Sequence, residues 1–182
     1  MTPALWEALA LLPQRMASAP ARVMLEAIQR QEDPEKRRRQ MVLVDGKLVP
    51  RGAARGLLQF ERGGGVSSVL RTPATREFAL LVCDARGVAH NAKAVHEAME
   101  HDDVLCYAFG RLLLWADPAP LPRIGDEAGA FALYQRTWRP GAYTRGTEEQ
   151  RGKLRTKWQG NYRAAVESVS PQITHDCRNA AP

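Results

Sequence analysis

A proline-bounded helix that ends on a carboxylate constrains this chain more than any other stretch. Ser18 is a favoured N-cap residue, Pro20 falls in the first turn, and Pro34 stops the helix just past Glu32. At about 3.6 residues per turn, Ala21, Met24, Leu25 and Ile28 share one face, and Glu32 falls in the middle of it. Arg22, Glu26 and Arg30 make an i, i+4 ladder of alternating charge on the other side, the pattern of a solvated face. The spacing therefore predicts a carboxylate turned toward apolar packing. Such a carboxyl loses hydration when it ionises, so its pKa rises and it can serve as a general acid near neutral pH. A second reading stands beside this one: a last-turn glutamate that swings to solvent or pairs within the basic run Lys36 to Arg39.

The segment beyond this helix shapes the surroundings of the carboxylate. Met41 to Val49 alternates around Asp45-Gly46, the strongest hairpin signal in the chain and the only β structure predicted. A loop from Pro50 to Arg55 leads through Gly56-Leu57-Leu58-Gln59-Phe60-Glu61 to Gly63-Gly64-Gly65. Three successive glycines permit backbone conformations and close approaches that side chains forbid.

The remainder reads as helices. Thr2 and Pro3 open a first one to Leu12, with Leu5, Trp6 and Leu9 as its buried side, and Pro13 closes it. Thr72-Pro73 starts another that runs to about Arg86 and ends at Gly87, with Phe78, Leu81 and Val82 inward. Asn91 caps the next, to about Glu100. Asp102 or Asp103 opens a helix to about Trp115 that is apolar nearly all round, which places it at the centre of a bundle. After the proline-rich connection Pro118 to Gly125, Asp126 caps a helix with Phe131, Tyr134 and Trp138 on one face, a stripe that suits packing. Arg139 to Gly152 reads as loop and Lys153 to about Ser168 as a last helix. The fold class is mainly α with one small hairpin. A single domain spans 1–168: an N-terminal helix in 1–17, the carboxylate helix, hairpin and glycine loop in 18–65, and a helical bundle in 66–168. A flexible tail spans 169–182.

Composition narrows the functional classes. The 182 residues suffice for one domain with a real core, and 45% hydrophobic with 25% charged residues is a soluble balance. No apolar run approaches the ~20 residues of a membrane span, and the first helix lacks a secretion signal's basic start and cleavage site. The protein is expected to stay inside a cell or particle, or to leave by another route. Cys83, Cys106 and Cys177 show no CxxC and no histidine at ligand spacing, so reduced thiols are expected, with no metal site and no cofactor. A net charge of +6 suggests an anionic partner: nucleic acid, a membrane surface or a cell wall. The cations are spread along the chain with no recognition helix or stacking motif, which argues against nucleic acid.

Ala27-Ile28 through Gln31-Glu32, then Arg38-Arg39-Gln40, Ala53-Ala54-Arg55-Gly56-Leu57-Leu58-Gln59-Phe60-Glu61 and the glycine triplet, resemble phage lysozyme-like proteins. These are related to goose-type lysozymes and soluble lytic transglycosylases. The resemblance extends more weakly through Leu133-Tyr134 and Thr137-Trp138-Arg139-Pro140-Gly141 to Lys157-Trp158 and Tyr162. It implies a lysozyme-like helical domain with Glu32 as catalytic acid. Gly56, Leu57, Gln59 and Phe60 would belong to the element lining the sugar groove, and Tyr134 would be the tyrosine that steadies the acid or the sugar. Gln135 stands where asparagine usually follows that tyrosine. Asp33 and Glu35 replace the serine and the aromatic residue usual after the acid.

The activity implied is cleavage of the bond between N-acetylmuramic acid and N-acetylglucosamine in peptidoglycan glycan strands. Either the acid alone forms a 1,6-anhydro product, or a second carboxylate, Glu61 or Asp33, activates water. The single-acid route asks less of this sequence. The setting implied is a bacteriophage: an enzyme of the virion tail, in contact with other virion proteins, or an endolysin held in the host cytoplasm until release to the wall. The alternative is an inactive lysozyme-like protein that binds glycan or packs in the particle.

Overall fold

A computed structural model describes the backbone of residues 2–179 and the side chains of residues 2–170. In chain order its elements are α1 (Pro3–Ala10), α2 (Ala19–Glu32), β1 (Val42–Val44), β2 (Lys47–Val49), α3 (Ser67–Arg71), α4 (Pro73–Arg86), α5 (Ala92–Ala98), α6 (Asp103–Trp115), α7 (Glu127–Trp138), α8 (Gly141–Thr144) and α9 (Glu148–Asn179). The chain is thus mainly helical with one small antiparallel sheet.

Helix α6 is the axis, as its composition predicts: every residue from Val104 to Leu114 is buried. The Asp102 carboxylate caps it by accepting from the Leu105 amide at 2.9 Å. Helices α1 and α4 pack on α6, and α2 packs on α9 and α6. Gly110 makes the crossing possible, because a Cβ there would collide with Leu58 and come within 3.0 Å of Leu25. One continuous apolar cluster joins Leu5 in α1 to Val169 in α9.

The local stop and start signals act where their chemistry places them. Ser18, Asn91 and Asp126 accept from the amides of Ala21, Ala94 and Gly129, and Gly87 ends α4 in the left-handed region at φ 65°. Asp45 and Gly46 take φ 49° and 75°, both left-handed as a type I′ turn requires, and set the register Leu43 opposite Leu48.

Several expectations need correction. Arg22 and Glu26 are not on a wet face; they are 5% and 4% exposed. The Arg22 guanidinium lies 4.6 Å from the Trp6 ring, and Glu26 accepts from Arg30 at 3.2 Å. Helix α2 is buried nearly all round because Trp6 of α1 covers its charged side while α6 and α9 pack on it as well. Trp6, in covering Arg22, remains 39% exposed itself, and Leu81 points outward at 57%. The stretch from Arg139 to Gly152 is not all loop: it contains α8 and the start of α9. Helix α9 continues past Ser168, where a tail is expected, to Asn179. The side chains from residue 171 onward, Cys177 among them, and the last three residues lie outside the described residues. Cys83 and Cys106 are buried thiols, not in disulfides. Among the described residues no helix is long and apolar enough to cross a membrane.

Candidate active site

The end of α2 opens onto a groove of about 1330 Å³. Its walls come from the turn after α2, the segment from Gln59 to Ser68, the end of α7 with α8, and Lys157 of α9. Glu32, the last residue of α2, is half-buried in this groove. Burial pushes its carboxyl from the ordinary 4.5 up to about 7, while the Tyr134 hydroxyl and the charge of Lys157 pull the other way. The Tyr134 O–H donates to Glu32 Oε1 at 2.6 Å. Of the two readings of Glu32, the structure has the desolvated one.

The tyrosine is held by packing. Its ring, 1% exposed, stacks on Trp158 of α9 with centroids 4.7 Å apart and planes 16° from parallel. Trp158 in turn packs on Phe131 and Tyr162. Burial and the adjacent Glu32 raise the Tyr134 pKa far above the ordinary phenol value, so it stays a donor. Helix α9 also grips the preceding residue: Lys157 Nζ donates to the Gln31 carbonyl, and Asn161 Nδ2 donates to Gln31 Oε1 at 2.8 Å. A cation on the last carbonyls of a helix is favourably placed for its dipole.

The two possible partner carboxylates are placed differently. Asp33 is 6% exposed, and both its oxygens are engaged by the turn, accepting from the Arg37 amide at 2.9 Å and the Arg38 amide at 2.7 Å. Glu61 is exposed at the groove and its carboxylate has no partner among the described residues. Glu35 lies at the surface paired with Arg37 rather than packed where an aromatic residue is expected.

The element from Gly56 to Phe60 divides into scaffold and surface. Gly56 (φ 73°) lies against α6, where a Cβ would come within 2.7 Å of Cys106 Sγ and 2.8 Å of the Met99 carbonyl. Leu57 is 1% exposed. Neither lines the groove, whereas Gln59, Phe60 and Tyr134 do, Phe60 with only 2% of its surface exposed. Gln59 adopts φ 50° and donates through Nε2 to the Gly56 carbonyl at 2.9 Å. Phe60 packs on Trp138 with centroids 5.8 Å apart, and Trp138 Nε1 donates to the Leu58 carbonyl at 2.9 Å. Burial lowers the pKa of His96, whose Nε2 meets the Phe60 carbonyl at 3.0 Å.

Sequence reasoning missed Lys157 and Asn161 as supports of the acid. They lie four apart on one face of α9, and that spacing, with Trp158 and Tyr162, was the available signal. No family model, no curated protein and no solved structure matches the chain.

Proposed function

We propose that this protein cleaves peptidoglycan glycan strands as a lysozyme-like lytic transglycosylase or muramidase of a bacteriophage, with Glu32 as general acid and base. The observation that carries the reading is the Glu32 carboxyl, in an open groove, raised to about 7 and held by Tyr134 at 2.6 Å. A group with that pKa is present in both protonation states at neutral pH, as a residue that first gives and then takes a proton requires.

In the chemistry proposed, protonated Glu32 gives its proton to the bridging oxygen as the bond to the muramoyl C1 breaks, and positive charge develops at that carbon. The Glu32 carboxylate then takes the proton of the muramoyl 6-hydroxyl while O6 bonds to C1. The products are the 1,6-anhydro sugar and a free 4-hydroxyl, and the acid returns to its starting state. Tyr134 steadies the ionised form between the two transfers. The single-acid route is supported by Asp33, whose oxygens are both committed to the turn. Glu61 is the carboxylate left for water activation.

Digestion of purified sacculi with wild type and Glu32→Gln, followed by mass spectrometry of the soluble products, tests the reading. Anhydro-muropeptides from wild type alone are expected. Reducing-end products would mean hydrolysis and implicate Glu61. No product from either would leave a silent glycan-binding or particle-packing protein, a reading favoured by the exposed Leu43 and Leu48 on the hairpin. The location proposed is the virion tail, and mass spectrometry of purified particles is expected to find the chain there.

A further inference from the structure

Charges around the groove do not cancel. Arg37 pairs with Glu35, Arg39 with Glu100 at 2.7 Å, and Arg136 with Asp117 at 2.6 Å. Asp33 accepts from amides and keeps its charge, so the cations left are Arg71, Arg139, Arg145 and Lys157, against Glu32, Asp33 and Glu61. Arg139 and Arg145 are exposed and have no carboxylate partner among the described residues.

Both sit on one wall. Arg139 ends α7 in the left-handed region at φ 49°, ψ 54°, a place where glycine or asparagine fits best. An arginine there forgoes the easier backbone and presents its side chain at the groove instead. The Arg145 guanidinium folds back along α8, so that a side chain at Gly141 would meet it at 3.2 Å. This keeps it beside the Arg139 segment. Lys157, which also lines the groove, adds an ammonium with one of its donors on the Gln31 carbonyl.

We propose that Arg139 and Arg145 form an anion subsite that binds the carboxylates of the peptide stem on the muramoyl residue, so that stem-bearing strands are preferred to bare ones. This rests on reading the groove as a glycan cleft. The forked guanidinium matches a carboxylate through two parallel hydrogen bonds, and a stem attached at the lactyl group of the muramoyl sugar carries such carboxylates at its free ends.

The test compares glycan strands that carry stems with the same strands stripped by an amidase. Wild type, Arg139→Gly, Arg145→Gln and the double variant are assayed at low and high salt. Wild type is expected to cleave stem-bearing strands about tenfold faster, with the ratio falling toward one in the double variant and at high salt. Glycine suits the Arg139 backbone, and thermal unfolding checks that each variant is folded. A wild-type ratio near one, or a ratio that survives both substitutions, overturns the subsite. If wild type cleaves neither strand, co-sedimentation decides. Retention on stem-bearing strands that the double variant loses would keep the subsite while the cleavage reading falls, and equal retention would overturn it.

Discussion

Replacing Glu32 by glutamine removes a half-buried titrating group while keeping the shape and the oxygen that accepts from Tyr134. Its consequence for stability can be worked from the pKa. Below 4.5 the carboxyl is protonated in folded and unfolded chains alike. As pH rises the unfolded chain ionises first, and the folded protein loses stability until its own carboxyl ionises at about 7. The interval from 4.5 to about 7, at about 1.36 kcal/mol per pH unit, corresponds to an upper figure of about 3 kcal/mol. That is a large part of the ~5–15 kcal/mol by which a domain is stable. Glu32→Gln should therefore match wild type near pH 4 and exceed it by up to about 3 kcal/mol, or roughly 6–12 °C in melting temperature, above pH 8. Urea or thermal unfolding of both proteins across pH 4–9 measures the difference, in which every other titrating group cancels. A gap that stays constant with pH would refute the reasoning, because the glutamate would then be solvated after all.

Single contacts set the other expected outcomes. Tyr134→Phe removes a hydrogen bond that favours ionised Glu32, worth about 1.5–3 kcal/mol, so the carboxyl's titration and the descending limb of any pH–rate profile should move up by roughly 1–2 pH units. Carboxyl carbon chemical shifts across a pH series report this even without an activity assay. Gly56→Ala puts a Cβ against Cys106 and Met99 from a left-handed backbone and should cost about 2 kcal/mol or more in urea unfolding. Burial pushes the Cys83 and Cys106 thiols up to about 11 and about 12, so neither should be alkylated by iodoacetamide at pH 8 until the protein unfolds, as peptide mapping would show.

The parts of the fold that were legible in the sequence are those with local causes. Ser18, Asn91, Asp102 and Asp126 cap the helices they precede because a side-chain oxygen three residues before an amide needs nothing from the rest of the chain. The place of Glu32 on an apolar face followed from helical spacing. The solvated ladder of Arg22 and Glu26 failed because charge pattern describes an isolated helix, and here α1 supplies Trp6 to cover the guanidinium. The interruption of Arg139 to Gly152 by α8 was hidden by a proline and three glycines in a stretch short of apolar residues. Pairing of Tyr134 with Glu32 spans 102 residues, so only the resemblance could suggest it. The clamp of Asn161 on Gln31 spans 130 residues, so the spacing of Lys157 and Asn161 marked a shared face of α9 but not what that face meets.

That clamp bears on the order of folding. Gln31 and Asn161 are 130 residues apart, and the loop they close is among the most costly in entropy that this chain forms. The desolvated setting of Glu32 therefore depends on α9 docking against α2, an event that must wait until the chain has been made past Asn161 and gathered in. Until then the carboxyl titrates as any exposed glutamate does. Its titration during refolding thus records the closing step, and a nascent chain still lacking α9 carries Glu32 without the surroundings that raise its pKa.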